Sequence, residues 1–268
     1  MTDTLTHPER QLIRTLLQTY DGHRPQIELF RDQLLVALNS SGALRGQIHS
    51  IRSRLKDPDH LRDKLARKIF RQRERNEPFG VTHENLLTAI NDLVGVRLLH
   101  LHTRQIIAID AALRDVFNEN KYALLEGPFA RTWDDESRQF FEECGITTRV
   151  SPSLYTSVHY VIGSASRTTV TAEIQVRTLM EEVWGEVDHT LNYPDPIDSL
   201  ACREQLKALA RATSSASRLV DSIFATAQDH KSRTQARPVR RRSRSTAPNS
   251  PENVPVPPSQ NAETPENG

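Results

Sequence analysis

Hydrophobic positions recur at helical spacing through the first part of the chain. Leu12, Leu16 and Tyr20, then Ile27, Phe30, Leu34 and Leu38, predict a helical N-terminal region. A further helix is predicted after Asp57-Pro58-Asp59, where either aspartate can cap its start, through Leu61, Leu65 and Ile69. The run NDLVGVRLLHL, residues 91–101, is β-branched and leucine-rich and reads as a buried strand. Residues 103–118 follow as a helix, with Ile106, Ile109, Leu113 and Val116/Phe117 facing inward. A short strand near 122–125, a helix over 134–143 and strands over 155–163 and 168–177 complete the centre. Residues 179–193 read as a helix stopped by Pro194 and Pro196. Leu206, Leu209, Thr213, Ala216, Val220, Ile223 and Ala227 mark a long amphipathic C-terminal helix. Strands interspersed with helices predict an α+β fold, a mixed β-sheet with surrounding helices.

One strand carries more than a packing pattern. In TAEIQVRT, residues 171–178, Glu173, Gln175 and Arg177 alternate with Ala172, Ile174 and Val176. Successive strand side chains point to opposite faces, so the apolar set can sit on a core while an acid, an amide and a guanidinium share the other side. Taken alone, that polar side reads more readily as a solvated face than as the wall of a site.

Composition narrows the setting. The 268 residues are 37% hydrophobic and 26% charged, ordinary for a globular protein. No apolar run approaches the length of a membrane span, and the N-terminus shows no export signal, so a cytoplasmic protein is expected. Cys144 and Cys202 cannot build a disulfide framework and lie in no metal-binding spacing. The formal net charge of +1 is uneven: the stretch from Lys231 to Gly268 carries +4 and the rest −3. Residues 239–268, rich in Pro, Ser, Asn and Glu, have no apolar periodicity and are expected to be disordered. The basic run from Arg237 to Arg244 suits RNA or an acidic surface, or serves as a solvated tail.

Three further stretches are candidates to join the polar face of TAEIQVRT. Lys64, Arg67 and Lys68 share a helical face, and Arg54 and Lys56 alternate just before that helix. Such a cluster can neutralise a triphosphate, or it is a solvated basic helix. Asp92 stands at the mouth of the apolar strand; paired with Glu173 it offers the two carboxylates that suit Mg²⁺, which keeps positions for phosphate oxygens. Strand alternation predicts Tyr155, Ser157 and His159 on one face, where a tyrosine ring can stack on a base and a histidine can reach phosphate or ribose. In the helix that follows TAEIQVRT, Trp184, Asp188 and Leu191 recur at helical spacing, and Trp184 is expected to pack that helix onto the sheet.

In order, the patterns RxKxPxxLxxKLxRK, DLxGVR, YxSxH, ExQxRT and WxExxH over about residues 45–194 resemble the synthetase domain of the RelA/SpoT family. That resemblance implies a nucleotidyltransferase-like synthetase fold with helical N- and C-terminal extensions. It also implies a nucleotide pyrophosphokinase that moves the β,γ-pyrophosphate of ATP to the 3′-hydroxyl of GTP or GDP. Arg54, Lys56, Lys64, Arg67 and Lys68 would then cradle the ATP phosphates, and Asp92 would hold Mg²⁺. Glu173 would share the metal and act as general base. Tyr155 would stack on the acceptor base, while His159, Gln175 and Arg177 line the acceptor channel. The implied organisation is a helical extension over 1–44, the synthetase domain over 45–196, a C-terminal helix over 197–232 and a tail over 233–268. The first 45 residues are too few for the family's hydrolase domain and no His-Asp dipeptide occurs, so a stand-alone, synthetase-only member is expected.

The chain departs from the family pattern before the tyrosine, where Lys-x-Asn-Gly-Tyr is replaced by Ser151-Pro152-Ser153-Leu154-Tyr155, and at Tyr193-Pro194, where Tyr-Lys is usual. Arg149 is close enough to stand in for the missing lysine. The change puts the acceptor in question: an adenine nucleotide or the 3′ end of tRNA are the alternatives to GTP or GDP. A catalytically inactive regulator that binds nucleotide or RNA is the reading from a different class, and retention of both Asp92 and Glu173 speaks against it. Self-association through the C-terminal helix, and an antitoxin partner, are open at this level.

Overall fold

The computed structural model describes residues 4–151, 153–192 and 197–235. Contacts divide the chain into a unit over Met1–Gln228 and a second over Asp229–Gly268; of the second, the described residues are all helical. The proline stop at 194 and 196 and the tail beyond 235 lie outside the described residues.

Helix α1, His7–Ser40, opens on a capping box made by Thr6 and Glu9 and runs through Pro25. The two predicted apolar runs form one helix because Tyr20 and Ile27 are seven residues apart, two turns, so the buried stripe keeps its register across the proline. A short α2, Gly42–Arg45, leads into β1, Ser50–Leu55. Helix α3, Pro58–Glu74, starts where predicted: the Asp57 carboxylate accepts hydrogen bonds from the backbone N–H groups of Asp59 and His60. Leu61, Leu65 and Ile69 form its buried face. Next come α4, Leu86–Ala89, and β2, Val94–His100. A 3-10 turn at Thr103–Gln105 then enters α5, Ile106–Glu119.

Strand β3, Ala123–Thr132, is much longer than the predicted 122–125. Its Gly127-Pro128 pair, which reads as a break, lies at a shift in the pairing with β5, and the strand resumes beyond it. Gly127 has φ of +96°, and an added Cβ would run into the His159 carbonyl oxygen, so glycine is needed there. Helix α6 spans Asp135–Glu143, β4 Thr147–Val150, β5 Ser157–Gly163 and β6 Thr171–Thr178. Helices α7, Leu179–Asn192, and α8, Leu200–Gln235, follow.

The six strands form one mixed sheet in the order β1-β2-β6-β5-β3-β4. β2 pairs parallel with β6 and β3 with β4; the other neighbours are antiparallel. On one side of the sheet Val94, Val96, Val158, Tyr160, Ala172, Ile174 and Val176 join the core with α1, α3 and α5. Tyr160 sits edge-on to Phe117 and donates its hydroxyl to Asp110 of α5 at 2.9 Å.

One expectation changes. The face predicted for α8 is buried at Leu206 and Thr213, but Ile223 and Ala227 are exposed, and Ala210, Ser214 and Ser217 take the inner positions instead. Trp184 ties α7 to α8 by donating its indole N–H to the Leu206 carbonyl at 3.1 Å. Among the described residues no helix is long and apolar enough to cross a membrane.

Candidate active site

The polar face of β6 is a connected chain of side chains. Gln175 donates to Glu173 Oε2 at 3.0 Å, and Arg177 donates to the Gln175 side-chain oxygen. On β5, His159 pairs in register with Gln175, and its Nδ1 lies 2.9 Å from Glu173 Oε1. His159 Nε2 lies 2.6 Å from the Ser157 hydroxyl. A neutral imidazole satisfies both contacts, with Nδ1–H donating to Glu173 and Nε2 accepting from Ser157. Burial, outweighing its bond to Glu173, pushes His159 below its ordinary value and keeps it in that form. Burial also raises Glu173, but the hydrogen bond from His159 and that from Gln175 help to hold its carboxyl below the usual range. Glu173 is therefore ionised and fixed in direction, which is the state a general base needs.

Asp92 is held by two ammoniums, Lys56 Nζ at 2.8 Å from one oxygen and Lys64 Nζ at 2.6 Å from the other. Burial opposes its charge, yet the two lysines win and its pKa is lowered. Lys56 follows the end of β1 and Lys64 lies on α3, with the Asp57 cap of that helix between them.

Two adjoining hollows meet at Asp92. One, of about 700 Å³, is lined by Arg52, Arg54, Arg97, Glu173, Gln175, Glu186 and His189 as well as Asp92. The other is lined by Asp92, Lys56, Lys64, Arg67 and Lys68, together with Arg71 and Arg75. The structure thus joins Asp92 and Glu173 in one hollow and places Lys56, Lys64, Arg67 and Lys68 in the next, with Arg54 on the Glu173 side. Among the described residues no group of three or more His, Cys, Asp or Glu side chains is arranged for a metal. Each oxygen of Asp92 and Glu173 already meets a lysine, His159 or Gln175, so a cation held by this pair would share those oxygens and complete its shell with substrate oxygens, not with an all-protein cage.

Tyr155 lies just ahead of β5, and its ring keeps to the predicted face, 6.3 Å from that of His159. Leu154 has φ of +56°, and the Thr156 N–H is taken by Glu181 Oε2 at 3.0 Å, which turns the chain before the strand begins. Tyr155 still reaches the site: its ring stacks on Trp184 at 6.3 Å and 15°, and the Arg177 guanidinium lies 5.9 Å from its centre. Ser151, at the position of the family's lysine, is only 2% exposed, so a side chain there is turned away from solvent.

Sequence reasoning missed Glu182 and gave no role to Glu186, the acid of WxExxH. Glu182 is buried and contacts three guanidiniums: Arg52 at 3.3 Å, Arg97 at 3.1 Å and Arg177 at 3.3 Å. Glu186 adds a 2.5 Å contact to Arg97. Gly185 between them lacks a Cβ, which would sit 2.8 Å from Arg177 Nη1. Glu182 and Glu186 at i, i+4 were a readable signal, but an acidic helix face reads as solvated until the arginines arrive from other strands. Glu181 is buried too, and burial pushes its carboxyl up to about 7.

The family described as "Region found in RelA / SpoT proteins" matches residues 53–198, more than half of the chain. The chain belongs to the RelA/SpoT family. No curated protein matches it in sequence. Among solved structures, it is similar to a GTP pyrophosphokinase family protein from Streptococcus pneumoniae, at 18% identity and a TM-score of 0.51 over 84% of this chain and 97% of that one. Small alarmone synthetase 1 from Bacillus subtilis matches at 18% identity and a TM-score of 0.52, over 81% of this chain and 97% of that one. Small alarmone synthetase 2 from Bacillus subtilis matches at 18% and 0.50, over 77% and 98%. At this identity the likeness establishes a shared fold, and it agrees with the α+β architecture of a RelA/SpoT synthetase region.

Proposed function

We propose that this RelA/SpoT chain is a pyrophosphokinase that transfers the β,γ-pyrophosphate of ATP to the 3′-hydroxyl of GTP or GDP. The observation that carries the reading is Glu173, ionised and aimed by His159 and Gln175, in one hollow with the lysine-paired Asp92. Lys56, Lys64, Arg67, Lys68 and Arg54 bind the donor phosphates. As the triphosphate enters, its oxygens share the two ammoniums that Asp92 holds alone in the free protein.

Glu173 takes the proton of the acceptor 3′-hydroxyl. The 3′-oxygen then bonds to the β-phosphorus, the bond from that phosphorus to the α,β-bridging oxygen breaks, and AMP leaves. Neutral His159 keeps Glu173 in line and, sitting behind it, takes no proton from substrate. Asp92 and Glu173 are the residues that would hold Mg²⁺, which when bound neutralises charge on the transferring phosphates. Tyr155 supports the acceptor base, with Gln175 and Arg177 beside the ribose and phosphates. Phosphoryl-type transfer asks chiefly for positioning and charge neutralisation, and this face supplies both.

The test is transfer from γ-labelled ATP with Mg²⁺ to GTP, GDP, GMP, ATP, AMP and deacylated tRNA in parallel. Label in pppGpp or ppGpp is expected, and Glu173→Gln should lower it by about 10²–10⁴-fold while leaving ATP binding unchanged. Label only on an adenine nucleotide or on tRNA keeps the transfer and overturns the acceptor. No label with any acceptor favours a nucleotide-binding regulator.

A further inference from the structure

Neighbouring acids of α7 differ in what meets them. Glu182 contacts three guanidiniums, whereas Glu181, only 6% exposed, forms no ion pair among the described residues. Its Oε2 accepts the Thr156 N–H at 3.0 Å, and no hydrogen bond reaches its other oxygen among the described residues. Burial pushes this carboxyl up to about 7, the mark of an acid taken out of water without a counter-ion.

Glu181 lines a cleft at the end of the sheet, where β2, β5 and β6 meet α6 and α8. The cleft encloses about 420 Å³, but its free space holds the centres of only about two waters, so its bore is narrow. Ile106, Phe141, Val158 and Val176 give it apolar walls. Its polar lining is rich in acceptors. His100, lowered to about 4 by burial, is neutral; its Nδ1–H donates to the His102 carbonyl at 3.0 Å, which leaves Nε2 as a lone-pair acceptor. The Thr178 and Ser217 hydroxyls, 3.2 Å apart, add further oxygens. Two guanidiniums also border the cleft, and both are matched: Arg177 by Glu182 at 3.3 Å, and Arg218 by Asp134 at 3.0 Å and Glu136 at 3.3 Å. The unmatched charge is that of Glu181. At Thr103, Ser137 and Arg218 the cleft adjoins a groove between α6 and α8, whose Glu136 is exposed, and this gives a way in from the surface.

We propose that this cleft binds a primary ammonium group carried on a straight alkyl chain, with the ammonium on Glu181 and the chain between the apolar walls. An ammonium has three donors and no acceptor, which matches a free carboxylate oxygen, an imidazole lone pair and hydroxyl oxygens. A narrow bore admits a methylene chain and excludes a branched or ring-bearing cation, and a bare metal ion would leave the apolar walls unused. Ser157, whose hydroxyl meets His159, borders the cleft as well, so the amine sits directly behind the proposed active site. The site stands independently of the transfer reading, in which Glu181 and His100 take no part.

Titration calorimetry on the full chain at about pH 8 measures ethylamine, n-propylamine and n-butylamine, with n-butanol, tetramethylammonium and potassium chloride as controls. The straight amines should bind, with affinity climbing about fourfold for each enclosed methylene, and the controls should not. Glu181→Gln, whose amide oxygen can still accept from Thr156, should weaken n-butylamine about tenfold or more, with a thermal melt to confirm that the variant is folded. If Glu181→Gln binds n-butylamine as the wild type does, or potassium binds in its place, the site is wrong. The wild-type series decides the matter even without a folded variant: no binding, no climb with chain length, or equal affinity for tetramethylammonium overturns the proposal.

Discussion

Two arginine pairs face each other across neighbouring strands of the sheet, Arg52 with Arg97 and Arg131 with Arg149, and they differ in their counter-ions. At the β1–β2 edge, Arg52 and Arg97 are closed off by Glu182 and Glu186 of α7, and the buried Glu182 also meets Arg177. At the β3–β4 edge, Glu126 pairs with Arg149, and Arg131 has no ion pair among the described residues. A charge satisfied inside the protein holds elements together, and its loss is felt as instability. A charge left without an internal partner costs little to remove. The contrast teaches that residue type and register alone do not distinguish the two; the counter-ion does.

The largest effect is expected at the closed pair. Glu182→Ala leaves three guanidiniums around an empty position and should destabilise the fold by about 3–5 kcal/mol in urea unfolding. If it costs no more than Arg131→Gln, the distinction between the two edges collapses.

Next in size is Glu181, one residue away, whose burial carries no comparable set of cations. Its folded pKa of about 7 lies above the ordinary 4.5, so the folded state binds the proton more tightly than the unfolded one. Its contribution therefore favours the fold at low pH and is lost as pH rises from about 4.5 to about 7, on the order of 3 kcal/mol in full. Glu181→Gln should flatten this dependence and be the more stable protein at pH 8. Matching urea midpoints for the two proteins across pH 5–8 would count against a buried, proton-sensitive Glu181.

The smallest effect is at the open pair. Arg131→Gln should shift stability by no more than about 0.5 kcal/mol, as an exposed substitution that also relieves repulsion. A cost of several kcal/mol in the same unfolding experiment would make Arg131 structural and remove the contrast between the two edges.

Much of the site was legible because strand and helix periods are local. TAEIQVRT divides as its alternation predicts: Ala172, Ile174 and Val176 are fully buried, and Glu173, Gln175 and Arg177 form one hydrogen-bonded line. The Asp57 cap and the Leu61, Leu65 and Ile69 stripe of α3 were readable for the same reason. Less was legible where neighbours decide. β1 and β4 are short edge strands whose sequences are mostly polar, with only Ile51 and Leu55 of β1 packed on the core. β3 runs past Pro128 because β5 pairs with it on both sides of the irregularity. β5 begins only after Tyr155, because Glu181, from a helix that follows two strands later, takes the Thr156 backbone N–H.

The sequence by itself determined which segments are helix and strand in the interior of the fold, and which polar residues share a face, because hydrophobic period and capping act over a few residues. The tertiary structure alone decided the strand order that sets Asp92 beside Glu173, and which charges meet. Lys56, just past β1, and Lys64 of α3 reach Asp92, three arginines reach Glu182 from β1, β2 and β6, and among the described residues Arg131 pairs with no acid. Electrostatic partners are chosen by distance in space, and no local pattern encodes that distance.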